Sequence, residues 1–138
     1  ISEFSQGPLR VGDELIYYYS SPSRGKAPPR ETRLTGGGIF RARLRIDGFV
    51  SVDWGTLTTK LLAFEGKQLT INGIGPVTVR VLNADGNSLA AATIKEGDSI
   101  RHEVTFAGRS LRDLAPDGRA SLQFEVTPPG RLYSFTIR

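Results

Sequence analysis

A chain of 138 residues is one domain's worth of sequence, long enough to bury roughly two-thirds of its unfolded surface without covalent staples. It has no cysteine, which excludes disulfides and thiolate metal sites but fixes no compartment, and no apolar run nears the ~20 residues of a membrane-spanning helix. The net charge of +4 invites a nucleic-acid reading, yet its arginines are scattered, no Lys/Arg run exceeds two, and no nucleic-acid motif is present. They read instead as the outward faces of strands.

The opening Ile1-Ser2-Glu3-Phe4 reads as the remnant of a cleaved fusion beside a cloning site, so residues 1–5 are set apart as a vector scar. Leu9-Arg10-Val11 predicts a short strand, Gly12-Asp13 a turn, and residues 14–20 a longer strand. Tyr17 and Tyr19 share a face with Leu15, and Tyr18 with Ile16, which predicts a strand covered on both sides. Residues 21–35, with three prolines, four cations and no apolar period, predict an exposed loop. Three glycines at 36–38 open the next strand, where Phe40, Ala42, Leu44 and Ile46 alternate with Arg41, Arg43 and Arg45. Past the turn at Asp47-Gly48, Val50 and Val52 predict a second alternating strand that closes on Asp53-Trp54-Gly55.

Beyond Glu65-Gly66-Lys67, alternation resumes through Leu69 and Ile71, and then through Val77, Val79 and Val81. Asp85-Gly86-Asn87 is a hairpin signal, followed by a weaker small-residue segment over 88–94. Residues 98–106 predict a strand with Ile100, His102, Val104 and Phe106 in phase. Leu111-Arg112-Asp113-Leu114 predicts one helical turn; Leu122, Phe124 and Val126 alternate after it, and residues 132–137 form the last strand. No helical period persists for ten residues. About nine short strands at such spacing predict an all-β fold, an antiparallel β-sandwich.

Candidate chemistry is sparse. The single histidine, His102, falls on the inward phase with Ile100 and Val104, where a buried, hydrogen-bonded structural role is expected. No phosphate loop, zinc pattern or Ser-His-Asp order is present. Asp47 and Asp53 are the paired-carboxylate candidates of a small glycoside hydrolase, but Asp47 stands in a turn where Asp serves backbone geometry. The aromatics suggest more. A sugar ring stacks its C–H face on a flat aromatic side chain while neighbouring polar groups bind its hydroxyls. Trp54 at an expected turn is the first such platform and Tyr133 the second, with Asp53, Arg101 and Lys60 as polar partners.

Five motifs stand in one order: the run from Gly12 to Tyr19; Leu44-Arg45-Ile46-Asp47-Gly48-Phe49-Val50-Ser51-Val52-Asp53; Gly55-Thr56-Leu57-Thr58-Thr59-Lys60; Gly97-Asp98-Ser99-Ile100-Arg101-His102; and Leu132-Tyr133-Ser134-Phe135. In this the chain resembles, over nearly its whole length after the scar, a family of bacterial proteins. They carry a five-bladed β-propeller related to family 32 and family 43 glycoside hydrolases, followed by a C-terminal β-sandwich. The resemblance implies that residues 48–138 are the sandwich, jelly-roll or concanavalin-like, and that the hairpin-like segment 6–47 is the end of a propeller blade. The catalytic acids of such propellers lie in earlier blades, so none is carried over. Trp54 departs from the pattern, which has a small residue and a longer Gly/Glu-containing loop there; residues 88–96 are also shorter than usual.

The expected function is therefore a non-catalytic, carbohydrate-associated β-sandwich from a glycoside hydrolase-like protein, using no metal or cofactor, with an oligo- or polysaccharide as partner. The alternative is a structural module that packs on a propeller domain or on a second copy of itself. Neither nucleic acid nor a membrane is an expected partner.

Overall fold

The structure, a computed structural model, describes residues 3–21 and 37–138. The loop expected over 21–35 lies outside the described residues from position 22 onward, as does Gly36. The chain divides into two compact units, Ile1–Gly48 and Phe49–Arg138.

The first unit is one antiparallel sheet of β1 (Glu3–Phe4), β2 (Leu9–Val11), β3 (Glu14–Ser21) and β4 (Gly38–Arg45). The long β3 lies in the middle, with β1 and β2 on one side and β4 on the other. Residues 3–4, set apart in the sequence as scar, thus pair with Ser20 and Tyr19. Opposed positions line Phe4, Tyr19 and Phe40 into one row, with ring centroids 5.4 and 5.6 Å apart. Arginines 41, 43 and 45 take the other face by strand alternation, and Arg43 reaches across to Glu14 with Nε 2.8 Å from the carboxylate. Ile16 is buried, while Tyr18 on the same face stays exposed. The closing turn places Asp47 at φ +57°, a conformation Asp tolerates. A Cβ on Gly48 would stand 2.8 Å from the Arg45 carbonyl oxygen, so the tight turn requires glycine.

The second unit is built of β5 (Gly55–Thr58), β6 (Leu62–Ala63), β7 (Leu69–Ile74), β8 (Val77–Leu82), β9 (Ser88–Ile94), β10 (Asp98–Val104), α1 (Leu111–Leu114), β11 (Arg119–Val126) and β12 (Arg131–Ile137). Two antiparallel sheets result. One has the order β10-β7-β12; the other has the order β5-β11-β8-β9, with β6 also pairing on β11. Leu69, Ile71 and Leu132 of the first join Val77, Val79, Val81, Leu122, Phe124 and Val126 of the second in a single buried cluster. The fold is all-β and antiparallel, with the apolar face of each sheet turned into a shared core. On the outer face of the larger sheet, Arg80 pairs with Glu125 at 2.8 Å, an arginine on a strand's polar side as the alternation predicts.

Local chemistry explains the connections. Asn83 organises the β8–β9 turn: its side-chain oxygen accepts from the Asp85 and Asn87 N–H groups at 3.1 and 2.8 Å, and Gly86 takes φ +83°. At α1, Ser110 and Asp113 form a capping box. The Asp113 carboxylate accepts from the Ser110 N–H at 2.8 Å, and these bonds hold its pKa below the usual aspartate value.

Two expectations are corrected, and one weak segment is firmer than its composition suggests. The alternation at Val50 and Val52 does not make a strand; Val52 alone pairs, in an isolated bridge with Leu132. Alternation gives a stretch two faces, but a strand also needs a neighbour for its backbone groups. The strand expected over 98–106 ends at Val104, after which Phe106 bridges to Arg109 in a turn. The small-residue segment 88–94 is a full seven-residue strand, β9, whose Ala90 and Ala92 pack against the core.

Candidate functional site

Both neighbours of the central strand β7 carry a bulge at the same level. On β12, Leu132 opposes Gly73 while Ser134 opposes Asn72, so Tyr133 is an extra residue. On β10, the register slips between Ser99 and His102, opposite Gly73 and Ile71. Gly73 is what lets the chains approach there: a Cβ on it would lie 2.6 Å from the Arg131 carbonyl oxygen. His102 directs Nε2 to the Gly73 carbonyl at 3.2 Å. A carbonyl only accepts, so Nε2 carries the proton and the ring ties the two strands together. Its role is structural.

Tyr133, the extra residue of β12, stands beside Arg131. The Arg131 guanidinium hydrogen-bonds the Tyr133 side chain and lies 3.8 Å from Asp53, with both ion-pair partners about half exposed. The bond to Tyr133, then the Asp53 charge, raise the Arg131 pKa above its already high value, so the group is a permanent cation. Ser51 donates to the same Asp53 oxygen that faces Arg131. Asp53 is thus oriented from two sides, and an exposed pair of this kind contributes position more than stability. Trp54 follows it at the head of β5 with 77% of its surface exposed. Alongside, Val50, Val52, Leu57, Leu132 and Tyr133 line an apolar cleft of about 290 Å³.

Of the five residues expected at a glycan site, the structure brings Asp53 and Tyr133 together on Arg131, with Trp54 adjacent in the chain. Arg101 is exposed on β10, at the far edge of the same sheet, two strand spacings or about 10 Å from β12. Lys60 is exposed beyond the end of β5, six residues from Trp54 along a mostly extended chain, roughly 15–20 Å away. Sequence reasoning missed Arg131 and Ser51. Arg131 stands two residues before Tyr133, a spacing that puts both on one side of a strand, and that signal was available.

No family model, curated protein or solved structure matches the chain.

The chemistry of the site therefore rests on its own groups. It offers an exposed indole, a carboxylate that accepts, a guanidinium and a phenol that donate, and an apolar recess beside them. Among the described residues no group of three His, Cys, Asp or Glu side chains is placed to hold a metal, and no helix is long and apolar enough to cross a membrane.

Proposed function

We propose that residues 49–138 act as a non-catalytic, carbohydrate-binding β-sandwich, of the kind that follows the propeller in glycoside hydrolase-like proteins. The observation that carries this reading is the exposed Trp54 indole, next in the chain to the Asp53 that meets Arg131 and, through it, Tyr133. A large apolar ring left in water is costly unless something covers it, whereas a single exposed leucine needs no explanation. Phe49, Val50 and Leu57 are also exposed in this stretch of the chain. A sugar ring has the chemistry to use both kinds of group, its C–H face on an indole and its hydroxyls on the Asp53 acceptor and the Arg131 donors. The reading gives Asp53 hydrogen bonding rather than acid–base work.

Isothermal titration of the chain against fructan, xylan, arabinan and cellulose tests it. Heat with at least one glycan is expected, and Trp54→Ala should weaken that binding at least about tenfold, or 1.4 kcal/mol. Because the side chain is exposed, the same variant should unfold within about 0.5 kcal/mol of the parent. Absence of heat with all four, or full binding by Trp54→Ala, overturns the reading.

One observation favours the alternative of a structural, self-associating module. The row Phe4–Tyr19–Phe40 leaves Phe4 64% and Phe40 46% exposed on a face of the first unit. If a second copy covers that row, light scattering finds a dimer and Phe40→Asp returns it to a monomer. A parent chain that is monomeric at every accessible concentration rejects it.

A further inference from the structure

Asp53 and Arg131 set opposite charges side by side, and the backbone is what places them. Val52 and Leu132 exchange both main-chain hydrogen bonds, at 2.8 and 2.9 Å, in an antiparallel bridge. The residues next to such a pair, here Asp53 and Arg131, stand directly opposite each other. Their closest approach is 3.8 Å, between Arg131 Nε and Asp53 Oδ1, with both side chains about half exposed. That distance is too long for a hydrogen bond, so the pair is an electrostatic one and leaves donors and acceptors for a ligand. Neither group is loose. Ser51 Oγ donates to Asp53 Oδ1, and the Arg131 guanidinium hydrogen-bonds the Tyr133 side chain.

A sugar that carries a carboxylate meets this pair badly. Its charge is drawn to the guanidinium but comes close to Asp53 as well, and the repulsion cancels much of the attraction. Asp53 cannot swing far from Arg131, because the Val52–Leu132 bridge and the Ser51 hydroxyl hold it opposite. An uncharged sugar has no such conflict. Each hydroxyl both donates and accepts, so one ring can donate to Asp53 and accept from Arg131 with the two charges still facing each other.

We propose, on the glycan reading of this same site, that Asp53 is a specificity-determining residue that confines the site to uncharged glycans. Discrimination of this kind needs a repulsive element as well as an attractive one, and Asp53 is that element. Overall charge works the other way. At +4, the chain as a whole attracts polyanions, so a preference for neutral glycans has to come from a local carboxylate. Both partners are exposed and screened by salt, which sets the expected discrimination at several-fold rather than many orders of magnitude.

The test is isothermal titration of the full chain, at low ionic strength, with two sets of polysaccharides. Fructan, xylan, arabinan and cellulose form the neutral set; polygalacturonate, polyglucuronate and alginate, with a carboxylate on every sugar, form the acidic set. The parent should bind at least one neutral glycan at least about fivefold more tightly than any acidic one. Asp53→Asn keeps the shape of the side chain and removes its charge, and it should gain at least about fivefold on an acidic glycan. Asp85→Asn makes the same change of net charge in the β8–β9 turn and should gain nothing comparable. Acidic glycans bound by the parent as tightly as neutral ones, no gain in Asp53→Asn, or an equal gain in Asp85→Asn overturns the role of Asp53 and leaves the glycan reading intact. No heat with any neutral glycan overturns that reading, and the selectivity with it. If Asp53→Asn fails to fold, the parent's order of neutral over acidic glycans decides alone.

Discussion

Phe124→Ala should lower the stability of the second unit by about 3–5 kcal/mol, the largest single-residue loss expected in this chain. Phe124 sits in the middle of β11, is fully buried, and pairs with Leu57 on one side and Val79 on the other. Its ring meets that of Phe135, from the other sheet, at a centroid distance of 5.2 Å. Truncation therefore removes the transfer energy of a large ring and leaves a hole at the joint between the sheets, where neither can collapse without losing its own ladder. Unfolding free energies of small domains are about 5–15 kcal/mol, so such a loss takes a large share of the total. For a unit of this size each kcal/mol moves the midpoint by several degrees, and thermal unfolding should show a fall of about 15 °C or more. A fall under about 5 °C would mean that the two sheets are held by something other than this contact.

The parts of the fold that the sequence announces are those where one physical signal acts alone. Val77, Val79 and Val81, and Leu122, Phe124 and Val126, alternate because each strand has one dry face, and all six are buried. The Asp85-Gly86-Asn87 turn and the Leu111–Leu114 helical turn are set by local hydrogen bonds of Asn83, Ser110 and Asp113, readable within a few residues. Where pairing decides, the sequence is silent. Val50 and Val52 have the alternation of a strand, yet only Val52 finds a neighbour. Residues 88–94 lack β-branched density and still form an edge strand, because β8 offers a partner and the core accepts small side chains.

The same limit explains the candidate site. Trp54 and Asp53 are legible as an aromatic and an acid at a turn, and Tyr133 as an aromatic on the last strand. Their assembly is not, since it depends on the Val52–Leu132 bridge, which brings Asp53 opposite Arg131. Strict alternation would put Leu132 with Ser134, and Tyr133 with both Arg131 and Phe135. The bulge instead lets both Leu132 and Phe135 contribute to the core, while Tyr133 stays with Arg131. A one-residue slip changes which face each side chain occupies, and nothing within a single strand records where the slip falls. The partner strand does record it, as glycine.

Gly73→Ala is the variant that tests this dependence. The added methyl would lie 2.6 Å from the Arg131 carbonyl oxygen and 3.7 Å from the Leu132 Cα, both backbone atoms of β12, so no side-chain rotation relieves it. Overpacking of this sort costs about 1–3 kcal/mol. The gain from a less flexible unfolded chain, about 0.4–1 kcal/mol, offsets only part of that. β12 must then move away from β7 at the level where Arg131 meets Asp53 and Tyr133, and the 3.8 Å ion pair is the first contact exposed to the shift. The variant should therefore unfold about 1–2 kcal/mol more easily and also show displaced resonances for the Arg131 Nε–H and the Tyr133 ring. Gly86→Ala supplies the control. Gly86 has φ +83° and open space around its would-be Cβ, so alanine there strains the backbone by about 1–2 kcal/mol without touching β12. If both variants lose similar stability but only Gly73→Ala moves the Arg131 and Tyr133 signals, the close approach of β12 to Gly73 is what holds the site in place. Native signals in a destabilised Gly73→Ala would separate the glycine from the cluster and leave Asp53, Arg131 and Tyr133 together for a reason other than the register of β12.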